Sequence, residues 1–301
     1  MNRLQRLPTQ LNSYQQQNRS LAFCYAVVKK YGEDDAGHKA ALLTYYAFLA
    51  LFPLLLILTT LTNMILARHP QVDARVIKGV TDYFPLLGNQ LAAHVHSLKR
   101  SGAALFVGIL FTFYGARGVA GAFSHGVQQI WQIPKKDQDG FPKSVFKSLA
   151  LLVVGGLGFL LASISSGLAS AAGHGLLFRS LSVAINLVIL FWVFTFMINF
   201  SLPRRVTLAE TRIGAAFAAT GLVVLQLLGG YILAHELKNL DALYSYFAIS
   251  LGLLFWIYLQ SQMLLYAMEI SVVSSQKLWP RSLEADRPTP VDEQLKNKNV
   301  P

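Results

Sequence analysis

Six stretches of this chain run for 20 residues or more almost without charge, at 40–66, 102–131, 148–172, 180–200, 213–234 and 242–274. A hydrocarbon layer about 30 Å thick is crossed by roughly 20 helical residues rising about 1.5 Å each. Each run therefore predicts one membrane-spanning helix. The fold class expected is all-α: a polytopic membrane bundle of six transmembrane helices. The polar segments divide the chain into a cytoplasmic N-terminal tail with an amphipathic helix (1–39), a six-span membrane domain (40–274) and a cytoplasmic C-terminal tail (275–301).

The longest polar connection, 67–101, has a pattern of its own. Val72, Val76, Val80 and Phe84 recur every four residues before FPLLG interrupts them. That spacing predicts a short amphipathic helical pair with an elbow near Pro85, lying in the outer headgroup layer or capping the bundle. The glutamine-rich start, LPTQLNSYQQQNRS, and the Pro-, Asp- and Lys-rich stretch after Pro280 read as mobile tails. The spans show no internal repeat.

Composition agrees with the pattern: 53% of residues are hydrophobic and only 14% charged. The net charge of +11 would ordinarily raise the question of nucleic acid, so the positions of the cations matter. With the N-terminus inside, 18 Lys and Arg lie on the inner side and 7 on the outer. The bias predicts both termini in the cytoplasm, with the positive charge facing anionic lipid headgroups rather than nucleic acid. Trp131 and Trp279 fall at the inner ends of the second and sixth spans, as interfacial aromatics do. Cys24 is the sole cysteine, so no disulfide forms within the chain.

Helices in lipid associate through small residues four apart. Gly158, Ala162, Ser166 and Ser170 form such a ladder in the third span, and Gly118 with Ala122 forms one in the second. Pro53 removes a backbone donor from the first span and is expected to shape it. Asn186, Gln226 and Gln260 are polar residues at membrane depth, as are Tyr45 and Tyr46 near the start of the first span. Asn and Gln there commonly bond helices together.

Ionisable groups inside spans carry more information, because a centred charge costs roughly 2.5–3.5 kcal/mol on insertion scales. Among Asp, Glu, Lys and Arg the spans hold two, Arg117 and Glu269. Both are placed in the cytoplasmic half, where an ion pair between them is geometrically allowed and snorkelling of Arg117 to headgroups is the alternative. Arg117, Glu269, Asn186 and Gln226 are the candidate substrate-binding or pathway residues.

Catalytic and metal chemistry find little support. The chain has no P-loop, no GxGxxG, no GxSxG and no HExxH. Asp137 and Asp139 in KKDQDGFP are too few for a two-metal nuclease. His69, His94, His96, His174 and His235 fall on the outer side without a zinc-helix spacing. No cofactor, no metal and no enzyme activity are expected.

Several ordered segments carry a family resemblance: GHKAALLTYYAFLALFPLLLIL, FYGARGV, IWQIP, LPRRVTLAETRIGAAF and YAMEIS. Together they resemble the YihY/BrkB family over about residues 20–280. The resemblance implies a multi-pass bacterial inner-membrane protein linked to the envelope. The ribonuclease label once given to members is not carried over, because no nuclease constellation is present. The family's small-Arg-Gly element maps onto Ala116, Arg117 and Gly118. Its late Gly-Ala-Glu element becomes Ala267, Met268 and Glu269, and Ala50 stands where Ser often precedes Leu-Phe-Pro. The leading expectation is non-ATP-driven movement of an anionic or amphipathic envelope component, with membrane lipids as partners. The alternative is a non-catalytic scaffold with envelope proteins as partners.

Overall fold

The computed structural model describes residues 12–66, 102–140, 142–171, 176–203, 206–236, 242–284, 286 and 288–298. Among them there is no strand. The helices are α1 (Arg19–Glu33), α2 (Ala36–Leu66), α3 (Gly102–Ile130), α4 (Lys143–Ala171), α5 (Leu176–Ser201), α6 (Leu208–Glu236), α7 (Ala242–Gln276) and α8 (Pro290–Lys298). The six long helices coincide with the six apolar runs. Described stretches long and apolar enough to cross a membrane occur in three of them: Ser180–Ser201, Leu208–Gly229 and Ser250–Gln276. The helical pair expected at 67–101 lies outside the described residues.

Neighbours in sequence are neighbours in space, and α7 returns to α2, closing a ring of six. Glycines set the antiparallel register. Gly115 lies so close to Ala50 that an added Cβ would sit 2.8 Å from its Cα, and Gly118 receives the ring of Tyr46. Gly158 receives Val193 of α5, and Gly221 receives Met263 of α7. Close approach of this kind replaces the hydrophobic driving force that lipid-immersed helices lack. Ala162 is fully buried. The side chains of Pro53, Ser166 and Ser170 lie outside the described residues.

Helix ends are satisfied locally or by neighbours, as termini in an apolar setting must be. Gln128 of α3 donates to the Ser201 carbonyl at 2.8 Å, and Lys147 of α4 reaches the Leu202 carbonyl at 3.4 Å. Thr207 and Glu210 start α6, the Glu210 carboxylate accepting from the Thr207 backbone N–H at 2.8 Å. After α7, Lys277 adopts φ 52° while the Leu278 N–H donates to the Val273 carbonyl at 3.1 Å. This six-to-one closure places a left-handed residue where glycine is usual. Lys277→Gly is therefore expected to stabilise the protein by about 0.5–1 kcal/mol, seen as a higher thermal midpoint in detergent.

Composition after Pro280 suggests a mobile tail, but the structure folds the described residues of 278–298 back onto α1. Thr289, Pro290 and Asp292 begin α8 as a capping box. The Thr289 N–H donates to Asp292 at 3.1 Å, the Asp292 N–H to Thr289 Oγ1 at 3.3 Å, and proline occupies the first helical position. A short helix started this firmly can present its acid to a partner.

Candidate functional site

Two polar centres stand out, one facing outward and one sealed within. Arg117 lies on an exposed face of α3 shared with Leu110, Phe113 and Tyr114, each more than half exposed. His125, two turns on, is exposed along the same face. Among the described residues Arg117 enters no ion pair. It lies 13 residues before Ile130, or about 20 Å along a straight helix. The backbone behind it is held by Gly115 and Gly118 against α2, so the guanidinium is carried on a rigid element.

The expected partnership between Arg117 and Glu269 is not what the structure contains. Glu269 is fully buried where α7 meets α1, and its ion-pair partner is Lys30, whose Nζ lies 3.0 Å from Oε2. Arg117 is directed away on the outer face of α3. Lys30, itself 2% exposed, also binds the Asp34 carboxylate and donates to the Ile130 carbonyl at 3.0 Å. It thus joins α1, the turn after it, the end of α3 and α7 at one point. Neither carboxyl oxygen of Glu269 has an aligned hydrogen bond among the described residues. Lys39 of α2 binds the Asp34 carbonyl.

A polar face continues along α7 from this point. Tyr266 stacks on Tyr31 with ring centroids 4.0 Å apart, Gln262 donates to the Tyr258 hydroxyl at 3.1 Å, and Thr44 donates to Ser261 at 3.3 Å. Burial, then the neighbouring Tyr266 and Tyr258, pushes the Tyr31 hydroxyl up to about 12, so it stays a neutral donor. Residues 258, 262, 266 and 269 recur at helical spacing and form one stripe against α1 and α2.

A second network clamps the C-terminal segment below. The Asp292 carboxylate accepts from Arg281 Nε at 2.5 Å, Lys29 Nζ at 3.0 Å, the Ser282 N–H at 2.9 Å and Thr289 Oγ1 at 2.8 Å. Arg281 also forks onto Glu33 at 2.7 and 2.9 Å. Burial alone would raise the Asp292 carboxyl, but the donors from Ser282, Arg281, Lys29 and Thr289 outweigh it and hold it well below the usual carboxylate range.

The remaining sequence candidates are scattered. Asn186 is buried in α5 and Gln226 half-buried in α6; the Asn186 Oδ1 and Gln226 Nε2 have no hydrogen-bond partner among the described residues. Among the described residues neither is bonded to Arg117 or Glu269. Asp139 is neutralised by Lys143 at 2.9 Å and by Lys147. Burial opposes the ionised form of Asp139, yet the two lysines lower its carboxyl below the ordinary value. The described residues hold no group of three or more His, Cys, Asp or Glu able to bind a metal. His69, His94, His96, His174 and the side chain of His235 lie outside the described residues.

Sequence reasoning did not single out Lys30, Asp34, Arg281 or Asp292. Lys30 belongs to a charged N-terminal stretch where nothing marks one cation over the next. The T-P-V-D spacing at 289–292 was the available signal for the docked segment, since Thr followed three residues later by an acid marks a helix start.

Long apolar helices joined by tight glycine contacts, with the buried charges of the described residues gathered at one end, define a helical membrane protein. The chain belongs to the virulence factor BrkB family, whose pattern matches residues 27–291. It is similar to a UPF0761 membrane protein of Psychrobacter sp. (strain PRwf-1), 24% identical over 276 residues, covering 86% of this chain and 50% of that protein. The chain thus spans about half the length of that curated relative. No solved structure matches.

Proposed function

We propose that the chain is a six-span protein of the bacterial inner membrane, with both termini cytoplasmic. It moves an anionic or amphipathic envelope component, such as a lipid, without hydrolysing ATP and without enzyme chemistry. The observation that carries this reading is Arg117, an exposed fixed charge on the apolar face of a long helix. A cation held there costs several kcal/mol in hydrocarbon, and a passing phosphate or carboxylate headgroup offsets that cost. Exposed Phe113 and Tyr114 beside it suit the apolar part of the same molecule. Among the described residues nothing resembles a nucleotide site.

The test is purified protein in liposomes carrying a fluorescent anionic phospholipid, with transfer between leaflets followed by a membrane-impermeant quencher. Wild type is expected to accelerate transfer. Arg117→Ala is expected to slow it about tenfold, equivalent to ~1.4 kcal/mol in the barrier, while Arg117→Lys retains most of the rate. No acceleration with any anionic lipid overturns the reading. A scaffold role is the second reading, favoured by an open apolar groove of about 550 Å³ lined by Tyr14, Leu21, Cys24, Val28 and Leu283.

A further inference from the structure

The sealed centre around Glu269 has one ammonium for two carboxylates. Lys30 hydrogen-bonds the Asp34 carboxylate and the Ile130 carbonyl and meets Glu269 as an ion pair at 3.0 Å, so a single cation serves both acids. Glu269 is wholly enclosed and Asp34 is 17% exposed. Both carboxylates are held on the same Lys30 ammonium, which sets the two acids side by side.

Among the described residues the surrounding elements supply no further cation to the pair. From α1 come Lys30 and the neutral Tyr31; from the start of α2 comes Lys39, bound to a backbone carbonyl. α3 contributes the Ile130 carbonyl. α6 presents Gly214 to Ala267 and Ser271, and α7 itself adds Tyr266. Two like charges beside one cation in a water-poor site favour uptake of a proton by the more buried acid.

We propose that Glu269 is a reversible proton-binding site, filled from water at the terminal end of the bundle by way of Asp34. In uptake, the Glu269 carboxylate and one proton from water become a carboxylic acid. Lys30 keeps its contact with Asp34. The bond to Lys30 that ties α7 to α1 weakens, and the new O–H turns to the Asp34 carboxylate. The device works the same way whatever the chain transports, so it stands independently of the lipid reading.

Infrared difference spectroscopy of the full chain in lipid nanodiscs, titrated from mildly alkaline to mildly acidic pH, tests it. A protonated-carboxyl carbonyl band is expected to grow as pH falls and to vanish in Glu269→Gln. In Asp34→Asn, which removes the neighbouring negative charge, the midpoint is expected to fall by about one pH unit, tenfold in proton affinity. Lys30→Met is expected to raise it by at least as much. A purely structural acid would give no titrating band. Absence of the band, a band that does not titrate, or a midpoint unmoved in Asp34→Asn overturns the proposal, and the last measurement serves even where Glu269→Gln does not fold.

Discussion

Gly214→Val is expected to yield little or no folded protein. A Cβ at Gly214 would overlap both the Ala267 carbonyl oxygen and Ser271 Oγ on α7. One of these is backbone inside a continuous helix and has no rotamer to escape into. The seam between α6 and α7 must then open, taking with it the buried Ala215, Ala218, Ala219 and Leu222. Overpacking against adaptable side chains costs about 1–3 kcal/mol; against a carbonyl the loss is expected to exceed about 3 kcal/mol. Gly221 supplies the comparison, since it meets the thioether of Met263, a side chain that can move. Gly221→Ala is expected to be much milder. Gly156, with nothing within 4 Å of its added Cβ, is the neutral control. Fluorescence-detected size exclusion after heating ranks the three; equal behaviour of Gly214→Val and Gly156→Val would falsify this account of the seam.

The second large effect is expected at the other end of the molecule. Asp292→Ala removes the carboxylate on which Arg281, Lys29, Ser282 and Thr289 converge. Truncating one partner of a fully buried, hydrogen-bonded ion pair costs about 3–5 kcal/mol; for the partly buried Asp292 a smaller loss of about 2–3 kcal/mol is expected, enough to release residues 278–298 from α1. Trypsin is then expected to cut at Arg281 and Lys296 under conditions where wild type resists, with the membrane helices left intact. The pH dependence has a definite sign. The folded Asp292 carboxyl lies below its unfolded value of about 3.9, so its contribution is complete above that value. It fades only as pH falls through the lower, folded value. Docking in wild type is therefore expected to survive at pH about 4, where about half of ordinary surface aspartates are already protonated. Early release there would contradict the network.

How much of this was legible in the sequence follows from range. A helix in lipid is written in a local run of apolar residues, and the run 242–274 differs from α7, Ala242–Gln276, only at one end. The start of α4 moved further, from 148 to Lys143. Lys143 and Lys147 interrupt the apolar run, yet Asp139 receives both and lets the helix begin early. Arg117 and Glu269 were conspicuous because each breaks an apolar run. The partner of Glu269 was not, since Lys30 is one cation among several in a polar stretch, and the contact joins residues far apart in the chain. The same limit hid Arg281 and Glu33, which are 248 positions apart. Composition misread the segment after Pro280, because Pro, Asp and Lys are also what a clamp of caps and ion pairs requires.

The return of α7 to α2 bears on how the protein is made. The helices leave the ribosome in order, and α2 can pair with α3 almost at once. Its other flank, and all of the α1 face that receives Tyr266 and Glu269, must wait for some 200 residues more. Until α7 arrives, Lys30 has only Asp34 and the end of α3 to hold it. The earliest part of the chain to enter the membrane is thus among the last to be finished, and during that interval it is the part most dependent on an insertion machinery that shields polar groups from lipid.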